Sequence, residues 1–121
     1  MYSSSNFEND LINSYAWDTA IVFIQEFSGD TDYSRQNRLQ TTTLAKCGEA
    51  TDGTNNDVRC NIYDMAGNTM EWSTETYSSI ARPCVYRGGR YDNTNNCTSY
   101  RNGYTTANGN YSISCRPTLY L

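Results

Sequence analysis

The chain has 121 residues, of which 37% are hydrophobic and 18% charged, and its net charge is −4. This length predicts one domain, and because the nine basic residues are scattered, we expect no phosphate-binding stripe and no nucleic-acid partner. The absence of histidine excludes Ser-His-Asp and Cys-His nucleophiles and histidine-bearing zinc sites.

The sequence contains no membrane-spanning run. No stretch approaches the roughly 20 consecutive apolar residues that a transmembrane helix needs. The segment from Met1 to Asp10 lacks the basic and apolar blocks of a signal peptide. We therefore expect a soluble, unprocessed chain with no membrane insertion.

The N-terminal part predicts a lead-in and one helix. Residues 1–12 begin polar and Ser/Asn-rich, as a loosely held lead-in does. An amphipathic helix from Tyr15 to Phe27 follows, with Asn13 or Ser14 as N-cap and Gly29 as its end. Its apolar positions recur every three or four residues, namely Trp17, Ala20, Ile21, Ile24 and Phe27.

The middle of the chain has little periodicity. We predict mostly loop from Asp30 to Arg59, because Gly48 to Asp57 consists of turn formers. Short strands are predicted near Glu71 to Thr76 and at Cys84 to Gly88. The alternating run from Ile113 to Leu121 predicts a final strand.

The five cysteines are an odd number, so at least one thiol is free or pairs outside the chain. Their spacings match neither a zinc ribbon nor a redox motif. Reduced, small, buried side chains are the favoured interpretation. A disulfide between Cys47 and Cys60 is the second.

The segment from Tyr91 to Cys115 differs in composition from the rest. Seventeen of its 25 residues are Asn, Tyr, Thr or Ser. Disordered segments are poor in aromatic residues, whereas binding loops combine rigid tyrosines with adaptable polar side chains. We therefore predict a ligand-binding surface made of Tyr91, Asn93, Asn95, Asn96, Ser99, Tyr100, Asn102, Tyr104 and Tyr111.

Three blocks carry a resemblance to a known family. They are Asn61 to Trp72 (NIYDMAGNTMEW), Tyr86 to Tyr91 (YRGGRY) and Ser114 to Pro117 (SCRP). Their order and spacing resemble the formylglycine-generating (sulfatase-modifying factor) family. The resemblance implies an α+β, C-type-lectin-like fold over residues 13–121, with one main helix, a short antiparallel sheet and long loops. Thr69-Met70 and Ser114-Cys115 depart from the family pattern.

The family's enzymes are copper oxidases that act on a sulfatase cysteine and hold the metal by two thiolates. Here the corresponding interval offers only Cys97, so a two-thiolate site for a soft cuprous ion is not available by motif. We therefore predict a binding protein and not an enzyme, with the copper oxidase as the alternative. The resemblance also implies a structural calcium, which transfers to Asp64, Gly67, Thr69 and Glu71. The favoured alternative is that no metal binds and that Glu71 and Asp64 cap backbone amides in the turn.

Variable proteins of diversity-generating retroelements share this fold, and the sequence looks most like them. Rewriting Asn codons at adenines yields largely the residue types found between residues 90 and 115. The resemblance implies a variable surface that binds a protein or glycan receptor on a cell surface. It also implies a location on a phage virion or bacterial cell surface.

Overall fold

The computed structural model describes residues 8–36, 57–93, 95–105 and 110–120. Strand β1 (Glu8–Leu11) and helix α1 (Ser14–Ser28) precede a 3-10 turn (Tyr33–Arg35). The remaining strands are β2 (Val58–Arg59), β3 (Ile62–Tyr63), β4 (Met70–Thr76), β5 (Cys84–Arg87), β6 (Arg101–Tyr104), β7 (Ile113–Cys115) and β8 (Pro117–Tyr120). This part of the chain is α+β, with one α-helix and several short sheets, which confirms the predicted class. Residues 37–56 of the predicted loop, which include Cys47, lie outside it.

Helix α1 forms where the periodicity predicts it. The Asn13 side chain accepts a hydrogen bond from the Ala16 amide at 2.8 Å, so Asn13 is the N-cap. Gly29 ends the helix in the left-handed region, with φ 75°. Trp17 is fully buried on the inner face of the helix. Phe27, predicted to belong to that face, is instead 70% exposed at the last turn.

A four-stranded sheet forms the centre of the fold, in the order β6-β5-β4-β7. The strands predicted near 71–76 and 84–88 are present as β4 and β5. β5 pairs antiparallel with both neighbours, but β7 runs parallel to β4. The predicted antiparallel sheet is therefore mixed.

Two predictions about the chain ends need correction. Glu8–Leu11, predicted as part of a loose lead-in, pairs antiparallel with Pro117–Tyr120 as strands β1 and β8. The tail, predicted as one run, is interrupted at Arg116, whose carbonyl accepts from the Ile12 amide at 2.9 Å. The two halves of the tail therefore join different sheets.

The core lies between α1 and the turn that follows β3. Its buried side chains are Ile12, Trp17, Ile21, Ile24, Tyr33, Met65 and Ala66. Gly89 lets the chain beyond β5 approach this turn, because a Cβ at position 89 would lie 2.1 Å from the Ala66 carbonyl oxygen. Only glycine tolerates such a close approach. The Gly-Gly pair thus has a packing role at the end of β5.

Candidate functional site

Four aromatic rings lie on one face of the strands β4, β5 and β6. Trp72 pairs with Tyr86, and Tyr86 with Asn102, while Cys84 pairs with Tyr104. Since side chains two apart on a strand share a face, these residues and Tyr100 project from the same side of the sheet. The ring centroids of neighbouring pairs are 6.1 to 6.4 Å apart. We call Trp72, Tyr86, Tyr100 and Tyr104 the aromatic face.

Helix α1 packs against the opposite side of the sheet. Arg87 of β5 forms an ion pair with Asp18, and its guanidinium lies 6.0 Å from the centroid of the Trp17 ring. Next to it, Arg101 Nε donates to Glu75 Oε2 at 2.5 Å. The charged side chains of these strands are therefore paired on the helix side, away from the aromatic face.

The aromatic face is partly accessible and carries polar groups. Trp72, Tyr100 and Tyr104 are half-buried, whereas Tyr86 is only 8% exposed. Asn102 Nδ2 donates to the Tyr100 hydroxyl at 2.9 Å. Burial and the neighbouring Tyr100 hydroxyl raise the pKa of Tyr86 to about 12. At neutral pH these groups offer flat apolar area with uncharged hydrogen-bonding groups, which suits a neutral ligand surface.

Seven of the nine predicted ligand-binding residues fall into two groups. Tyr100, Asn102 and Tyr104 meet at the aromatic face, as a binding surface requires. Trp72 and Tyr86 complete it, and the sequence prediction missed them. The sequence places both residues on predicted strands, which is the one signal it offers for them. Only the register shows that the two side chains lie opposite each other.

The second group consists of Tyr91, Asn93, Asn95 and Tyr111. It lies near the residues that precede β4. The Tyr91 amide donates to the Asn68 carbonyl at 2.8 Å, and Asn93 Oδ1 accepts from the Asn95 amide at 2.8 Å. Arg90 Nη1 reaches the Ser112 hydroxyl at 3.3 Å. This contact connects the loop around Tyr91 to the turn that carries Tyr111. Tyr111 is 76% exposed.

One predicted binding residue is buried in the structure. Asn96 is only 8% exposed, and its Nδ2 lies 3.4 Å from the sulfur of buried Met70. The backbone nearby is also fixed, because Trp17 Nε1 donates to the Thr98 carbonyl at 3.1 Å. Ser99 is exposed, although its amide donates to the Ser34 carbonyl at 3.0 Å. Asn96 is therefore buried in this structure, and its part in a ligand surface stays a prediction.

Of the residues predicted to bind calcium, Glu71 forms an ion pair with Arg116. Arg116 donates to both Glu71 oxygens, at 2.8 and 2.7 Å. Thr69 Oγ1 lies 2.6 Å from Ser114 Oγ, and both Asp64 and Gly67 are buried. Among the described residues, no group of three or more acidic, cysteine or histidine side chains is placed to hold a metal. Calcium at Glu71 would have to displace the guanidinium, so these residues do not fit the ion in this arrangement.

A buried carboxylate that the sequence prediction missed organises this turn. Asp57 is fully buried, its Oδ2 accepts from the Ala66 amide at 2.7 Å, and its carbonyl accepts from the Asp64 amide at 2.7 Å. The Tyr33 hydroxyl donates to both Asp57 oxygens, at 3.0 and 3.1 Å. Burial, together with this carboxylate, raises the pKa of Tyr33 well above its ordinary value. Tyr33 and Asp57 thus link the 3-10 turn to the turn after β3.

Four of the cysteines lie in the described ranges, and all four are free thiols. Cys60 and Cys115 are exposed, which differs from the expected burial, and Cys84 and Cys97 are half-buried. The Cys97 sulfur lies 3.4 Å from the Ser99 hydroxyl. Cys84 begins β5 and Cys115 ends β7, two strands that β4 separates.

No protein-family model, no curated protein and no solved structure matches the chain. Within the described ranges, no helix combines the length and apolar character needed to cross a membrane.

Proposed function

We propose that this chain is a binding domain whose aromatic face, with the loop around Tyr91 and the turn at Tyr111, recognises a receptor on a cell surface. One observation carries the proposal. Three strands and Tyr100, which directly precedes β6, hold four aromatic rings on one side of a sheet whose other side is packed against α1. A site on strands is positioned more firmly than a site on loops alone.

The chemistry of the aromatic face supports binding. Tyrosine and tryptophan supply large, stiff contact area at small entropic cost, and they dominate the energy of many interfaces. Here the Tyr100 hydroxyl and the Asn102 amide add hydrogen-bonding groups within the ring cluster. The partner that fits is an uncharged patch of a protein or a glycan, bound by stacking on the rings and by hydrogen bonds at their edge.

The resemblance to variable proteins of diversity-generating retroelements extends the proposal. Under this extended proposal, the chain is a C-type-lectin-like domain of a phage virion or bacterial surface. The codons of residues 90–115 are rewritten, which changes the ligand that the domain binds. The position of Tyr100, Asn102 and Tyr104 supports this, since their side chains lie at one surface and can vary without entering the core.

Binding of the labelled chain to intact bacterial cells of several species tests the proposal. The double variant Tyr100→Ala, Tyr104→Ala should bind at least about tenfold more weakly, because central aromatic residues carry most of the energy of an interface. Ile80→Ser is the matched control, since Ile80 is 99% exposed in the β4-β5 connection, outside the ring cluster. Protease treatment of the cells, compared with periodate treatment, separates a protein receptor from a glycan.

Two results would contradict the proposal. The first is binding that the double variant leaves unchanged, and the second is the absence of binding to every cell type tested. The retroelement assignment has its own test, a nearby DNA repeat that differs from the coding sequence only at adenines. Without such a repeat and a reverse transcriptase gene, that assignment fails, while the aromatic face remains testable.

A further inference from the structure

Three rings of the aromatic face are mutual neighbours. The centroids of Trp72, Tyr86 and Tyr104 lie 6.3, 6.2 and 6.4 Å apart, so they form a nearly equilateral triangle, which we call the ring triangle. The planes of these rings are inclined to one another by 80°, 69° and 47°. Rings so inclined do not form one flat surface on which a sugar ring would stack. They suit a compact, rounded group instead.

The size of the ring triangle fits a cation. Its centre lies about 3.6 Å from each centroid, so a cation about 3 Å above the centre lies about 4.7 Å from all three rings. This is within the distance of about 6 Å over which cation–π contacts act. Tyr86 is only 8% exposed, whereas Trp72 and Tyr104 are half-buried, so Tyr86 forms the floor and the other two rings the sides. Aromatic sites of this kind recognise quaternary ammonium groups.

The charges around the ring triangle agree with a bound quaternary ammonium. The charged side chains of β4, β5 and β6 alternate onto the helix side of the sheet, and they are Glu71, Glu75, Arg87 and Arg101. A cation at the rings therefore meets no positive side chain from these three strands. Because a quaternary ammonium has no N–H group, it gives up few hydrogen bonds with water when it enters an uncharged site.

An arginine without an ion-pair partner lies beside the same rings. Arg82, in the β4-β5 connection, is exposed, and no acidic side chain in the described ranges pairs with it. A Cβ at position 103 would lie 2.8 Å from the Arg82 carbonyl oxygen, so the Arg82 backbone lies against β6. Burial is the main cause that raises the pKa of Tyr86, and the charge of Arg82 opposes it, which places the guanidinium near the Tyr86 hydroxyl. Arginine is well suited to bind phosphate oxygens.

We propose that the ring triangle binds the trimethylammonium group of a phosphocholine ester and that Arg82 binds the phosphate of the same ligand. The two charges of the ligand then have separate partners, the ring faces and the guanidinium. A phosphocholine diester has no net charge, which agrees with the uncharged partner proposed above, and it is small, as half-buried rings require. The inference rests on the proposed function for the carrier of this group, a glycan of the cell surface.

Titration of the full chain with phosphocholine, followed by tryptophan fluorescence, tests the proposal. The chain has two tryptophans, and Trp17 is fully buried, so a change in emission reports on Trp72. We expect saturable binding of phosphocholine. Phosphoethanolamine carries the same phosphate but has N–H groups in place of the methyl groups. It should bind at least about tenfold more weakly, because its ammonium is strongly hydrated.

Variants assign the two charges of the ligand to their partners. Trp72→Leu and Tyr104→Leu should each weaken phosphocholine binding about tenfold, measured by isothermal titration calorimetry. Arg82→Ala should weaken phosphocholine binding about fivefold but should not weaken the binding of tetramethylammonium, which has no phosphate. Ile80→Ser, at a side chain that is 99% exposed in the same connection, is the matched control and should bind as the wild type does. Circular dichroism verifies that each variant is folded.

Three results on the wild type would overturn the inference. They are no binding of phosphocholine up to about 10 mM, equal affinities for phosphocholine and phosphoethanolamine, and tighter binding of a neutral monosaccharide. Preference for phosphatidylcholine vesicles over soluble phosphocholine would overturn the glycan as the carrier. If phosphocholine does not bind while Tyr100→Ala, Tyr104→Ala still weakens binding to cells, the inference fails and the proposed function stands. If phosphocholine binds and no cell does, the proposed function fails instead.

Discussion

Arg116 binds both oxygens of Glu71, with N–O distances of 2.8 and 2.7 Å. A third hydrogen bond, from Arg116 Nη2 to the Tyr63 carbonyl at 2.6 Å, joins the same guanidinium to β3. Glu71 is only 6% exposed, and its burial raises the pKa of the carboxyl in spite of the guanidinium. This pair connects the C-terminal tail to the central sheet.

Removing one partner of this ion pair should lower the free energy of unfolding more than removing both. Arg116→Met leaves Glu71 buried without its cation, and we expect the free energy of unfolding to fall by about 3 kcal/mol at neutral pH. The double variant Glu71→Leu, Arg116→Met should recover much of that loss. Urea denaturation of the three proteins measures both effects.

The loss in Arg116→Met should also depend on pH. The unpaired Glu71 has a still higher pKa in the folded state, so folding is coupled to the uptake of a proton. The deficit relative to the wild type should shrink as the pH falls towards the ordinary Glu pKa of 4.5. A deficit that is constant with pH would show that Arg116 stabilises the fold through packing alone.

Calcium offers a second check on this region. Because the Arg116 guanidinium is hydrogen-bonded to both Glu71 oxygens, neither added calcium nor a chelator should change the melting temperature of the wild type. Asp10→Asn, a change at an exposed carboxylate, serves as a control for nonspecific effects of the ion. A rise in melting temperature that is specific for calcium would restore the site at Asp64, Gly67, Thr69 and Glu71.

We predict that the protein loses stability at alkaline pH because of its buried tyrosines. The pKa of Tyr86 rises from its ordinary value of 10.0 to about 12 in the folded protein, mainly through burial. Between these two values the unfolded chain loses this proton while the folded chain keeps it, so deprotonation favours unfolding. The free energy of unfolding should therefore fall as the pH rises above 10.0.

Variants separate the two buried tyrosines. Tyr86→Phe and Tyr33→Phe should each reduce the alkaline fall, since the pKa of Tyr33 is raised as well. Tyr111→Phe, at a side chain that is 76% exposed, is the matched control and should leave it unchanged. Urea midpoints over a pH series measure the slopes, and equal slopes in all variants would refute the burial argument.

Local signals in the sequence predicted the elements that are formed by nearby residues. The cap at Asn13, the periodicity up to Ile24 and the stop at Gly29 lie within one stretch of chain, and α1 follows them. The strands β4 and β5 are likewise present. Periodicity places Phe27 on the inner face, but it does not show where the core ends, and Phe27 is 70% exposed.

Long-range contacts were beyond such signals. Strand β1 exists because Pro117–Tyr120 returns to pair with it, and composition at Glu8–Leu11 carries no trace of that partner. The same holds for the site. Composition indicated Tyr100 and Tyr104, but only the register of β4 and β5 brings Trp72 and Tyr86 beside them. The sequence indicates only a turn former at Asp57, because its contact with Tyr33 is made across 24 residues of chain.

The neighbours Asn95 and Asn96 differ in burial, although both belong to the segment rich in Tyr and Asn. Asn95 is exposed, whereas the amide of Asn96 is buried against Met70. Asn96→Asp places a charge in that site, and we expect the free energy of unfolding to fall by about 2 to 3 kcal/mol. Asn95→Asp, the same change at the surface, should alter it by less than about 0.5 kcal/mol. Urea denaturation measures both, and equal stability of the two variants would show that Asn96 tolerates this substitution as Asn95 does.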